Sequence, residues 1–165
     1  MDEIADEANV AVGTLYNYFG SKKGLLVSMV ARQANKAVKQ GETVVAASYA
    51  DPAKAAADLL EAYVKRFFLS HDRELMQEVI AGAFARPADM GRGIMDARTR
   101  MVEQITELVK KLQQNDTGAS IDADIDPGEA GVLLFGTCVA AFLGYLQRPA
   151  ETPAELVEDV RRRVA

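Results

Sequence analysis

The first 26 residues, MDEIADEANVAVGTLYNYFGSKKGLL, read as two short helices joined by a tight turn, then the start of a third. Ile4, Ala5 and Ala8 fall at helical spacing and predict a short apolar stripe. After Gly, Asn best tolerates a left-handed backbone, so Asn9 can end the first helix and start the turn. Val10 is apolar and is expected to plug the space between the helices. Leu15 and Phe19 are four apart and predict the buried side of the second helix. Gly20 can terminate that helix, and Ser21 can cap the next one.

With Leu15 and Phe19 inward, Thr14, Asn17 and Tyr18 lie on a different face, and no charged residue stands among them. Thr and Tyr hydroxyls bind phosphate oxygens, and Asn pairs with adenine in a major groove. Gly13 lets a backbone or a nucleic acid approach closely. Lys22 and Lys23 fall at the start of the third helix, where free N–H groups and the helix dipole favour a phosphate. This is the layout of a helix-turn-helix, whose second helix is placed to enter a DNA major groove. A plain helical hairpin with surface tyrosines is the competing reading of any short helix pair; the joint spacing here argues against it.

Residues Ile4-Ala5, Ala8, Val10, Gly13-Thr14-Leu15-Tyr16, Tyr18-Phe19, Ser21-Lys22 and Leu25-Leu26 resemble the tetracycline-repressor (TetR) family of bacterial transcription regulators. The resemblance implies that Thr14, Tyr16, Tyr18 and Lys22 contact DNA and that residues near Val12 and Asn17 tune sequence preference. Two positions depart from the family pattern: Ala11 replaces the usual N-cap Ser, and Asn9 the usual Gly. Losing a cap hydroxyl costs a helix about 1 kcal/mol. The resemblance also implies a further helix and a basic arm ahead of these two, which these residues do not include. A chain without them is expected to bind DNA poorly. The domain expectation is therefore residues 1–26 as a helix-turn-helix segment, incomplete without that first helix, and 27–165 as a helical effector-binding and dimerisation domain.

Charge gives DNA binding little help. Asp2, Glu3, Asp6 and Glu7 stand against Lys22 and Lys23 in residues 1–24, a net of −2, and the whole chain carries −5. Neutralisation of phosphates by Lys and Arg usually supplies much of DNA affinity. In TetR-like proteins most of the chain never touches DNA, so an acidic total is compatible with the resemblance.

Beyond residue 20 the pattern is one series of helices. One is expected from Ser21 to about Ala47. Asp51-Pro52, Asp126-Pro127-Gly128-Glu129 and Thr152-Pro153-Ala154-Glu155 are start signals with an N-cap and an early Pro. Leu59, Leu60, Tyr63, Val64, Phe67 and Phe68 repeat as two i, i+4 rows. Met76, Ile80 and Phe84 form a row after Ser70-His71-Asp72, broken up by Pro87, Gly91 and Gly93, and Met101, Ile105, Leu108 and Leu112 form another. Asn115–Ile125 is polar and reads as a flexible linker. No segment alternates with period two long enough for a strand, so the class is all-α.

Ala130–Gln147 has no charge in 18 residues, the lower limit for a membrane span. Gly131, Gly136, Thr137, Cys138, Gly144 and Gln147 dilute its hydrophobicity, and Gly136, Ala140 and Gly144 form a small-residue stripe at spacing four that lets another helix approach closely. A helix apolar all round in a soluble protein is buried all round, with one face on the core and the other on a second subunit. TetR-like proteins dimerise through their last two long helices, which agrees with a homodimer through residues 131–147 and 152–165.

Catalysis finds little support. His71 is the one histidine and Cys138 the one cysteine, far apart in sequence, so neither a disulfide nor a zinc site is expected, and the lone thiol suits a reducing cytoplasm. No phosphate-binding Gly loop or nucleophile elbow occurs. Arg161, Arg162 and Arg163 read as a helix end near its negative pole.

Tyr63, Phe67, Met76, Ile80, Phe84, Met101 and Phe135 are each explained by core packing, but together they can line a cavity, since ligand sites between helices are mostly apolar. TetR-like regulators hold an effector in such a cavity. The expected protein is a homodimeric cytoplasmic repressor, released from double-stranded operator DNA by a small apolar effector. It would need no cofactor or metal and would be no enzyme. A helical ligand-binding dimer without DNA binding is the alternative, and a membrane-anchored helical protein, resting on Ala130–Gln147, a weaker third.

Overall fold

The computed structural model describes residues 1–85, 91–114 and 121–164, with side chains omitted at 82–85. Every regular element among them is helical. The fold is all-α, as expected. In chain order these are α1 (Asp2–Glu7), α2 (Val12–Phe19), α3 (Lys22–Ala46), α4 (Pro52–Tyr63), α5 (Arg73–Ala85), α6 (Arg92–Gln113), α7 (Pro127–Gln147) and α8 (Pro153–Val164). A π-helical turn, Val64–Phe68, continues α4.

The start signals read from sequence act as caps. The Ser21 hydroxyl accepts from Gly24 N–H at 3.0 Å, and Asp51 Oδ1 accepts from Ala53 N–H at 2.9 Å. Asp126 Oδ1 accepts from Glu129 N–H at 2.8 Å. Before α8 the capping box closes both ways: Thr152 N–H donates to Glu155 Oε2 at 2.7 Å, and Glu155 N–H donates to Thr152 Oγ1 at 3.3 Å. At α5 it is Asp72 that caps, accepting from Leu75 N–H at 2.8 Å. Neighbouring His71 leaves its buried Nε2 without a hydrogen-bond partner among the described residues.

α6 is the central helix, packed on α3 along one side and α7 along the other, while α4 and α8 close the body. The stripe Ile94, Ala97, Met101, Ile105, Leu108 and Leu112 supplies its buried face. Its buried polar residue, Gln104, ties three helices. Its Nε2 donates to the Val38 carbonyl at 2.8 Å, and its Oε1 accepts from the Tyr63 hydroxyl at 2.8 Å. Both are buried hydrogen bonds that leave no polar atom of the amide stranded.

Two arginines fix the periphery. Arg73 stacks 3.9 Å from the Tyr145 ring and donates to the Tyr145 carbonyl at 2.8 Å and to those of Arg148 and Glu151, satisfying the end of α7. Arg161 pairs with Glu61 and, at 3.3 Å, with Asp58, so it joins α8 to α4. It is an interhelical clamp as well as one of the last-turn cations expected from sequence. Arg162 and Arg163 both pair with Asp159 on their own helix.

The expected linker 115–125 lies partly outside the described residues. Its described part, 121–125, is held: Gln113 Nε2 donates to the carbonyls of Asp122 at 3.0 Å and Ile125 at 2.8 Å. The boundary expected after residue 26 falls inside α3, which runs unbroken from Lys22 to Ala46.

Candidate functional site

The N-terminal corner forms as the residues dictate. Asn9 adopts φ 51°, the left-handed conformation expected of it, and Val10 N–H donates to the Ala5 carbonyl at 3.0 Å. Ala11 stands at the N-cap of α2 and offers no side-chain cap. The helix ends at Gly20, φ 70°, whose N–H donates to the Tyr16 carbonyl at 2.8 Å. Ala5, Leu15 and Leu25 are the buried residues of this corner, one from each of α1, α2 and α3.

Two expectations are corrected here. Val10 does not plug the corner, being 40% exposed, and Ile4 is 39% exposed, so only Ala5 of the predicted α1 stripe is buried. An alanine is all that α1 contributes inward.

Inward Leu15 and half-buried Phe19 turn the rest of α2 outward. Tyr16, Asn17 and Gly13 are exposed, Tyr18 is 81% exposed, and Val12 and Thr14 are half-buried. Exposed Lys22 stands in the first turn of α3, just past the Ser21 cap. The seven sequence-predicted DNA-contact residues thus share one short helix and the next helix start. The acidic residues Asp2, Glu3, Asp6 and Glu7 are all exposed on adjoining α1.

The family described as "Bacterial regulatory proteins, tetR family" matches residues 1–29, the span of this corner. The similarity to that family is to this corner. A 42-residue stretch is also 50% identical to the HTH-type transcriptional repressor KstR of Rhodococcus jostii (strain RHA1). That stretch is 26% of this chain and spans only 20% of the relative's length. No solved structure matches the chain. The TetR-type match therefore covers α1, α2 and the first part of α3, while the helices beyond rest on their own geometry.

Those helices enclose an apolar cavity of about 160 Å³ between the π-turn, α5, α6 and α7, with Val30 of α3 in its wall. Phe67, Met76, Ile80 and Phe135, all named from sequence, line it. The structure does not bring Tyr63 or Met101 there: both are buried in the core, and Tyr63 is bound to Gln104. The side chain of Phe84, in α5, lies outside the described residues. Burial pushes the Tyr63 hydroxyl far above its ordinary value, with the nearby Cys138 adding to it, and burial pushes the Cys138 thiol up to about 12. Such a thiol stays protonated and inert, as expected of a structural cysteine.

Sequence reasoning missed Phe68, Phe142 and Arg98 in the lining. The π-turn explains Phe68. Its i→i+5 bond, Leu69 N–H to the Val64 carbonyl at 2.9 Å, widens the helix so that adjacent Phe67 and Phe68 both face the cavity. Helical periodicity assigns neighbouring residues to different faces, so it carries no signal for this.

A larger groove of about 600 Å³ runs between the end of α7 and α8, open to solvent and lined by Arg148, Glu151, Glu155 and Arg162 among others. Arg148 and Arg162 are paired to Glu151 and Asp159. Ligand sites are concave and mainly apolar, which favours the smaller cavity. Among the described residues no group of three His, Cys, Asp or Glu side chains is gathered to hold a metal ion. α7 is long and apolar enough to cross a membrane by length and composition, with mean hydropathy 1.7. In this fold it packs Phe135, Cys138, Phe142 and Tyr145 into the core.

Proposed function

We propose that this chain is a ligand-responsive, DNA-binding transcription regulator, a cytoplasmic repressor acting as a homodimer. The observation that carries the reading is the outward face of α2, Tyr16, Asn17 and Tyr18, set beside Lys22 at a capped helix start within a segment similar to the TetR family. Tyr and Lys position the protein on phosphates, while Asn17 and Val12 face the bases. The relative's name as a transcriptional repressor supports the direction of regulation.

α3 gives the reading a mechanism. Lys22 stands at its DNA end, and Val30, two turns on, lines the cavity. A ligand that fills the cavity shifts α3 and with it the corner that holds α2. In a dimer, such shifts change the spacing of the two recognition helices, which must match half-sites about 34–36 Å apart. A coupling of about 1–3 kcal/mol suffices for a switch. The dimer would form through 131–147 and 152–165, where Val132, Leu133, Gly136 and Ala140 leave an exposed apolar strip on α7.

The test is selection of duplexes from a random double-stranded library, followed by fluorescence anisotropy at fixed salt. A pseudo-palindrome should emerge. Tyr16→Ala should weaken binding markedly, whereas Lys22→Ala should weaken all sequences alike and flatten the salt dependence. No enriched sequence, with the fold intact by circular dichroism, favours the alternative of a ligand-binding helical dimer without DNA, to which the exposed acids of α1 also lend weight.

A further inference from the structure

Arg98 is the sole charged residue among the cavity's lining, which is otherwise aliphatic, aromatic or methionine. Its guanidinium lies 5.9 Å from the Phe135 ring centroid, over an inner wall, while its own residue and Met95 are exposed at the mouth. No carboxylate pairs with it among the described residues. Among the described residues Arg32, Arg66 and Arg92 likewise pair with no carboxylate, but Arg98 alone of these stands in the cavity's lining.

We propose that the cavity takes a monocarboxylate with an apolar body, its carboxylate held at the mouth by Arg98. The inference rests on the reading of this cavity as the effector site and replaces the neutral effector expected from sequence. A guanidinium presents a planar fork of donors that matches a carboxylate's two oxygens. A single arginine balances a single negative charge. The buried walls, Phe68, Met76, Phe135 and Phe142, accept the apolar body. The cavity volume limits that body, since about 150 Å³ holds a benzene-sized ligand, so a medium chain or one aromatic ring fits and a large polycycle does not. An arginine that merely snorkels, with its stem on apolar surface and its head in water, would show no preference for anions. That difference is measurable.

Isothermal titration of the protein with octanoate, 1-octanol and octylamine separates the two. Octanoate should bind about tenfold or more tighter than 1-octanol, with the margin shrinking at high salt because Arg98 is exposed, and octylamine should bind weakest. Arg98→Gln should erase the octanoate margin while 1-octanol still binds, and Arg98→Lys should keep part of it. If 1-octanol binds and octanoate binds no tighter, or if Arg98→Gln keeps the margin, the carboxylate assignment is overturned and the cavity remains a neutral-ligand site. If none of the three binds the folded protein, both the cavity reading and the assignment are overturned.

Discussion

Gly91 lies so close to Val27 that a β-carbon on it would stand 2.6 Å from Val27 Cγ1. Gly91 also holds φ +73°, a left-handed conformation that only Gly adopts freely. The contact sets the first turn of α6 directly on α3, between Leu25, which holds the DNA-contact corner, and Val30, which lines the cavity. Ile94, Met95 and Arg98, one to two turns along α6, line the same cavity. Cavity and corner therefore share one helix, and α6 grips that helix between them.

Gly91→Ala should then act twice. Strain at a positive φ and the collision with Val27 should destabilise the fold by about 1–3 kcal/mol, and α3 should yield, weakening DNA binding at temperatures where the fold is intact. Gly93→Ala is the control: its β-carbon would meet Ala31 Cβ at 3.2 Å from an ordinary helical backbone, so its cost should be smaller. Chemical denaturation and anisotropy measured on both variants check this, and equal effects would remove the special role of Gly91.

Much of this architecture was legible because caps are local. Ser21, Asp51, Asp126 and Thr152 needed only their own helix starts to be recognised, and Asn9 only its own backbone tolerance. Burial is not local. Ile4 and Val10 are apolar yet exposed, since no described element lies over them, and nothing in their spacing says so. Tyr63 and Phe67 occupy one apolar row, but the π-turn begins between them and sends only Phe67 to the cavity. The Arg161–Glu61 clamp joins residues a hundred positions apart, a separation at which pattern reading has no purchase.

The split between Tyr63 and Phe67 can be measured. Tyr63→Phe strands Gln104 Oε1 in the core and should cost about 1–3 kcal/mol of stability, without altering the affinity of a cavity ligand. Phe67→Ala removes part of the cavity wall and should weaken 1-octanol or octanoate binding. Denaturation midpoints and titration calorimetry on the two variants read these apart; a loss of ligand affinity in Tyr63→Phe would return Tyr63 to the ligand site.

Assembly is testable on α7. Leu133 is 71% exposed, and a β-carbon on Gly136 would meet nothing within 4 Å, so neither is needed by the single chain. Leu133→Asp and Gly136→Leu should fold normally yet drive the protein to monomer at micromolar concentration, the latter by overpacking at about 1–3 kcal/mol. Gly144 is a poorer probe, because its β-carbon would strike the Arg148 guanidinium at 2.9 Å within one chain. Sedimentation velocity gives the answer, and a wild-type protein that is monomeric there would count against the dimer.

Acid should loosen α8 first. Burial tends to raise the Glu61 carboxyl, but hydrogen bonds from Lys65 and Arg161 outweigh it and hold it below the ordinary range. Asp159 is depressed against a similar burial cost by Arg163 and Arg162, and Glu155 by the Thr152 backbone N–H and hydroxyl. A carboxylate whose folded value is depressed adds stability that is fully present above its unfolded value and is lost as pH falls through the folded one. All three lie in or against α8, so they pull in the same direction. Stability should hold near neutral pH and decline below about pH 5, where unfolded carboxylates begin to take up protons. Glu61→Gln should lower stability at pH 7, because Arg161 loses its charged partner, and should flatten part of that decline. Thermal melts of both proteins across that range decide it: parallel curves would mean that the Arg161–Glu61 pair does not hold α8 to α4.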